Sequence, residues 1–198
     1  MNVLKKIILL MLALIVMWTN ESEARCFKSE CWISSNQQNC WDNNTYIDCL
    51  NTEIKQNKAM EKVLKKELNL PRDIMKKTKL YYNYVDLNCD GVDEIFVLVT
   101  GPYTSGSGGS TAFILAQSGK TLVINQKLTL INAPVIISNN IVNGCKEIII
   151  RQSGGGIKAR NVVLTCIDGH YTEVNDGREI ANLSGVSGTA ILCDKEKI

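Results

Sequence analysis

The chain has 198 residues, 45% of them hydrophobic, with 22 basic against 20 acidic side chains and a formal net charge of +2. That length holds one ordinary domain plus an appendage. The near balance of charge excludes a dedicated nucleic-acid binder, which would carry a strong basic excess or a groove-reading motif.

Lys5 and Lys6 precede twelve unbroken apolar residues, Ile7 to Trp18, and a polar stretch ending Ser22-Glu23-Ala24 follows. This is the pattern of a cleavable secretory signal over residues 1–24. An uncleaved anchor is the alternative, but a spanning helix needs roughly 20 apolar residues and this run is shorter. The mature chain, 25–198, is therefore expected to be periplasmic or secreted and to have no membrane span.

Export decides how the cysteines read, because thiols oxidise outside the cytosol and an even count then points to disulfides. Cys26, Cys31, Cys40 and Cys49 sit close together, while Cys89, Cys145, Cys166 and Cys193 are dispersed. Closure within each set would cut the 105 pairings open to eight cysteines about tenfold. Their spacings lack the paired C-x₂₋₄-C turns of structural zinc, and the single histidine, His170, is far away in sequence.

Residues 25–80 read as a cysteine-rich helical region. Asp42, Asn43 or Asn44 can cap a helix with apolar residues at Ile47, Leu50, Ile54, Val63, Leu64 and Leu68, a stripe that Asn57 and Glu61 interrupt. Pro71 stops that helix or starts another, to which Ile74, Met75 and Leu80 belong. Positions 53–79 carry nine Lys or Arg against four acidic residues. Such a helix offers a basic patch to an anionic surface or protein partner, or is simply a solvated face.

Residues 81–198 change to the period of strands. Leu80–Val85, Glu94–Thr100, Thr111–Ala116, Thr121–Leu130, Lys146–Arg151, Asn161–Ile167 and Tyr171–Val174 are rich in β-branched and aromatic residues and are separated by turn formers. The continuous apolar runs at 96–99 and 148–150 predict strands covered on both faces. Ser118-Gly119, Asn143-Gly144 and Asp168-Gly169 are hairpin dipeptides. The expected fold class is α+β: a short disulfide-linked helical segment, then an antiparallel β domain of about seven strands.

The most specific feature lies between the first two of these strands: Asp86-Leu87-Asn88-Cys89-Asp90-Gly91-Val92-Asp93-Glu94. Asp86, Asn88 and Asp90 supply oxygens at the first, third and fifth places, Gly91 the sharp turn, Val92 a main-chain carbonyl and Glu94 a closing carboxylate, a set suited to calcium. Val97 stands where an EF-hand needs glutamate, and helices do not flank the loop. The alternative is an Asx-type turn holding no ion.

Asp86 to Thr100 resembles the loop-strand unit of FG-GAP and VCBS-type extracellular repeats. The likeness implies a calcium-binding loop but not a propeller, since a single copy is present. Asp86 to about Tyr171, with the glycine-rich segments at 101–109 and 153–156, also resembles an uncharacterised domain of exported bacterial proteins. In many such domains a cysteine pair brackets the first glycine loop, where this chain has Ser105 and Ser110. The stretch Cys31–Leu68, through Cys40, Tyr46 and Cys49, is faintly similar to the helical module of LprI-type lysozyme inhibitors, but that family's D-x-x-L-N-x-x-Y pattern is not intact.

Catalytic motifs fail on inspection. Ser107, Ser110 and Ser187 each lack a glycine of the G-x-S-x-G elbow. Gly119-Lys120-Thr121 has Ile114 in place of the first glycine of a phosphate loop and reads as a hairpin. His170 has no nucleophile partner and reads as a surface side chain. The glycines at 153–156, flanked by Arg151, Lys158 and Arg160, can seat an anion but read first as a hairpin connection. The expected function is a non-catalytic binding or structural protein with a calcium-stabilised loop. The alternatives are an inhibitor of cell-wall hydrolases, or a hydrolase pairing Asp93 and Glu94 with Glu147 or Glu173.

Overall fold

The structure, a computed structural model, describes residues 45–53 and 55–193. The expectations for residues 1–24 and for Cys26, Cys31 and Cys40 fall outside them. Two helices are described, α1 (Lys58–Leu68) and the single-turn α2 (Arg72–Met75). The strands are β1 (Tyr46–Cys49), β2 (Lys79–Val85), β3 (Glu94–Thr100), β4 (Ser105–Gly106), β5 (Gly109–Ser118), β6 (Thr121–Ile131), β7 (Val135–Val142), β8 (Cys145–Gly154), β9 (Ile157–Leu164), β10 (Cys166–Ile167), β11 (His170–Tyr171), β12 (Arg178–Ile180) and β13 (Ser187–Ile191). The fold is therefore mainly β with little helix.

One sheet runs β1-β13-β7-β8-β9-β12. The other runs β2-β3-β5-β6, with β4 pairing the start of β5. Every named pairing is antiparallel except that of β1 with β13, which is parallel. The inner faces meet over one core, to which Phe96, Leu98 and Ile114 come from the second sheet and Ile137, Ile148 and Ile150 from the first. Side chains alternate along a strand, so β3 has a second buried face. Ile95, Val97 and Val99 pack with Met60 and Leu64 of α1, which lie four residues apart on one helical stripe. This explains why all of β3 but Thr100 is buried.

The first sheet is likewise covered outside. Ile136, Ile149 and Val163 pack with Leu183, Ile47 and Val186. The apolar runs at 96–99 and 148–150 thus do belong to strands buried on both faces.

The helix expected to run through Ile47 and Leu50 is corrected. Residues 46–49 are a strand, and Ile47 joins the outer cluster of the first sheet. α1 begins eleven residues later because Asn57, rather than interrupting it, caps it: its side chain accepts from Met60 N at 3.0 Å. The helix ends where Asn69 turns left-handed at φ 42° and its N–H bonds Lys65 O. Pro71 then precedes α2.

Among the hairpin signals, Asn143-Gly144 joins β7 to β8 and Asp168-Gly169 joins β10 to β11, each with positive φ at both residues. Two strands escaped sequence reading for specific reasons. β7 contains Ser138-Asn139-Asn140, which looks like a turn but forms an irregularity within the pairing with β8. β13 is made of small residues because its backbone approaches β7 closely: a Cβ on Gly188 would stand 2.2 Å from Ile137 O.

Candidate cation loop

The loop between β2 and β3 is organised by its own side chains. Asp86 Oδ2 accepts from Gly91 N at 3.1 Å, Asn88 Oδ1 from Asp90 N at 3.0 Å, and Asp90 Oδ1 from Val92 N at 2.7 Å. These are Asx-type bonds, and Cys89 and Gly91 supply the left-handed residues at φ 59° and 82°. Glu94 opens β3 on the inner-face side with Phe96. Its Oε2 accepts from Leu87 N at 2.9 Å and its Oε1 from Asn88 Nδ2 at 3.0 Å. The same Asn88 nitrogen donates to Asp90 Oδ2 at 3.0 Å, so one amide group bridges two carboxylates.

Two features set this loop apart from an ordinary turn. Glu94 is only 7% exposed; burial raises its pKa, the charges of Asp90 and Asp86 raise it further, and the Leu87 and Asn88 bonds oppose the shift. Asp86 Oδ1 is shielded from solvent and has no hydrogen-bond partner among the described residues, a costly arrangement for a carboxylate oxygen. Val92 and Asp93 are exposed at the loop's edge. Among the described residues, no three His, Cys, Asp or Glu side chains are gathered into a metal-holding group.

The loop is held from below. Leu87 is buried in the main core with Cys166 and Tyr171, and Cys145 packs against the same cluster. Lys146 N donates to Leu87 O at 2.8 Å, and Tyr171 Oη donates to Lys146 O at 2.8 Å. The sulfurs of Cys145 and Cys166 are 2.9 Å apart. Burial, together with the hydrogen bond and charge of Cys166, pushes the Cys145 thiol up to about 11. Burial also raises Tyr171, with contributions from Cys145, Cys166, Glu94 and Cys89, so its phenol stays a donor. Cys49 lies 2.6 Å, sulfur to sulfur, from Cys193, a neighbour from the other set of four. Cys89 is exposed on the loop.

The remaining predicted residues do not converge on this loop. Glu147 lies on the outer face of the first sheet, beside Ile149, and is 6% exposed. It is engaged by Asn140 Nδ2 at 2.7 Å, Arg178 Nη2 at 3.2 Å and Thr165 Oγ1 at 3.4 Å. The first sheet thus stands between Glu147 and Glu94, and Glu173 is exposed on a loop. His170 is exposed, its Nδ1 3.2 Å from Asp168 O. Gly155 and Gly156 turn the β8–β9 hairpin, and Gly119 turns β5 into β6. Ser105 and Ser110 face each other across β4 and β5, hydroxyl oxygens 2.8 Å apart.

All nine basic residues of positions 53–79 are exposed. Neither ion pair found among the described residues involves them. Lys65, Arg72, Lys76 and Lys79 border an open groove of about 860 Å³ between the helices and β2. Among the described residues no helix is long and apolar enough to cross a membrane.

Two further polar residues matter that periodicity does not flag. Asn83, fully buried in β2, donates to Asn51 O at 2.8 Å and accepts from Leu192 N at 3.0 Å. Gln126 exchanges two bonds with the Tyr171 main chain, at 2.6 and 2.7 Å, tying β6 to β11. Compared with known proteins, the chain matches no family model, and no curated protein or solved structure matches it.

Proposed function

We propose that the protein is an exported, non-catalytic binding or structural module, oxidised after leaving the cytosol, whose acidic loop takes calcium. The observation that carries the calcium reading is Asp86 Oδ1, a buried carboxylate oxygen left without a donor beside the carboxylates of Asp90 and Glu94. A cation supplies what that oxygen lacks. It would take over the bridging role of the Asn88 amide nitrogen, drawing on Asp86, Asn88, Asp90, the Val92 carbonyl and Glu94. The loop then serves to lock β2 to β3 in the presence of extracellular calcium. The resemblance of Asp86 to Thr100 to FG-GAP and VCBS loops supports the same reading.

The partner best matched by the helical side is anionic, because nine exposed cations there lack ion pairs among the described residues. The test of the calcium reading is thermal melting of the oxidised protein in calcium against chelator. A calcium-dependent rise that Asp90→Ala abolishes supports it, and indifference to both solutions rejects it.

A further inference from the structure

We propose that Cys145–Cys166 and Cys49–Cys193 are disulfides in the exported protein, and that the first of them is the clamp that fixes the acidic loop. Both sulfur pairs lie closer than unbonded sulfurs pack, at 2.9 and 2.6 Å. Each pair joins segments that the sheets already bring together. Cys145 opens β8 and Cys166 opens β10, and Asn143 Nδ2 bonds Cys166 O at 2.8 Å across the same junction. Cys49 ends β1 and Cys193 follows β13, strands already paired in parallel, with Cys193 N bonding Leu50 O at 3.3 Å.

The connectivity therefore crosses the two sequence clusters. It leaves Cys89 to be matched with Cys26, Cys31 and Cys40.

The two bonds have different consequences. Cys145 is adjacent to Lys146, whose peptide is fixed at both ends, by Leu87 O on one side and the Tyr171 hydroxyl on the other. Leu87 N in turn holds Glu94. A covalent link at Cys145 is thus three contacts from the carboxylate that closes the loop, and it acts through the rigid junction of β8 and β10. Cys49–Cys193 instead ties the edge strand β1 to the far end of the first sheet and touches no part of this chain of contacts.

Formation needs a disulfide oxidant. A thiolate of the pair attacks a sulfur of a small disulfide such as oxidised glutathione, releasing one glutathione thiolate. The second cysteine, deprotonated, then displaces the other glutathione. Two thiols give up two protons and two electrons, and the oxidant becomes two thiols.

The assignment rests on the exported reading only for its oxidising compartment, and it is independent of whether the loop takes calcium. The full-length protein is refolded in a glutathione redox buffer and mapped by non-reducing proteolysis and mass spectrometry. Peptides linking Cys145 to Cys166 and Cys49 to Cys193 are expected; any of these four linked elsewhere, or free, overturns the pairing. Hydrogen exchange is then followed in chelator for oxidised wild type, for Cys145→Ser with Cys166→Ser, and for Cys49→Ser with Cys193→Ser. Amides of residues 87–94 should exchange at least tenfold faster in the first double variant and unchanged in the second. Equal loop protection in all three overturns the clamp. Should the first variant not fold, wild type alkylated after partial reduction at Cys145 and Cys166 replaces it, with the same expected and contrary results.

Discussion

Replacing Asp86 by Asn isolates the calcium claim with little structural disturbance. An amide oxygen still accepts from Gly91 N, the bond that Asp86 Oδ2 makes at 3.1 Å, while the negative charge and the unpartnered carboxylate oxygen are removed. Extracellular calcium modules bind with dissociation constants of about 10⁻⁴ to 10⁻³ M, so about 10 mM calcium is roughly ten to one hundred times that constant. Binding to the native state then contributes about 1.4 to 2.7 kcal/mol. At about 2 to 4 °C per kcal/mol for a domain of this size, wild type should melt roughly 3 to 11 °C higher in calcium than in chelator. Differential scanning fluorimetry of both proteins, oxidised and at equal ionic strength, reads this directly. Asp86→Asn should lose the calcium increment and, without calcium, melt no lower than wild type, because it relieves repulsion with Asp90 and Glu94. A variant that keeps the full increment would refute the role given to Asp86.

Further outcomes follow from the same contacts. The raised pKa of Glu94 means that its contribution to stability is full below the unfolded-state pKa and is lost as pH rises through the folded value. Cation-free melting should therefore fall across that window, calcium should bind more weakly as pH drops through it, and Glu94→Gln should flatten both profiles. Asn57→Ala removes the α1 cap and should cost about 1 kcal/mol in urea unfolding. Leu64→Ala, at a fully buried position between α1 and the second sheet, should cost about 2 to 5 kcal/mol in the same assay. Asn83→Ala strands the Leu192 N–H and the Asn51 carbonyl, at about 1 to 3 kcal/mol for each, and a change under 1 kcal/mol would show that neither bond matters.

The long strands were legible in the sequence because their signals are local. β3 matches the run Glu94–Thr100 residue for residue, and the hairpins at Asn143-Gly144 and Asp168-Gly169 need only two residues with left-handed backbone. What was not legible is set by distant partners. Tyr46–Cys49 is a strand because β13, some 140 positions later, offers it an edge. The helical stripe through Ile47 took apolar residues meant for a sheet face and extended them into a helix. Gly188 marks a close approach to β7 that only the assembled sheet reveals. At the candidate site, the residue types and order were readable, but the unpartnered Asp86 oxygen and the support through Lys146 depend on β8 and β11 meeting the loop.

Nuclear magnetic resonance titration of the oxidised, isotope-labelled protein with calcium tests the central claim most directly. The amide signals of Gly91 and Val92, whose N–H groups bond Asp86 and Asp90, should shift together along one saturable curve and return on adding chelator. Loop signals that stay fixed up to about 10 mM calcium, an order of magnitude above the weakest extracellular modules, would contradict it.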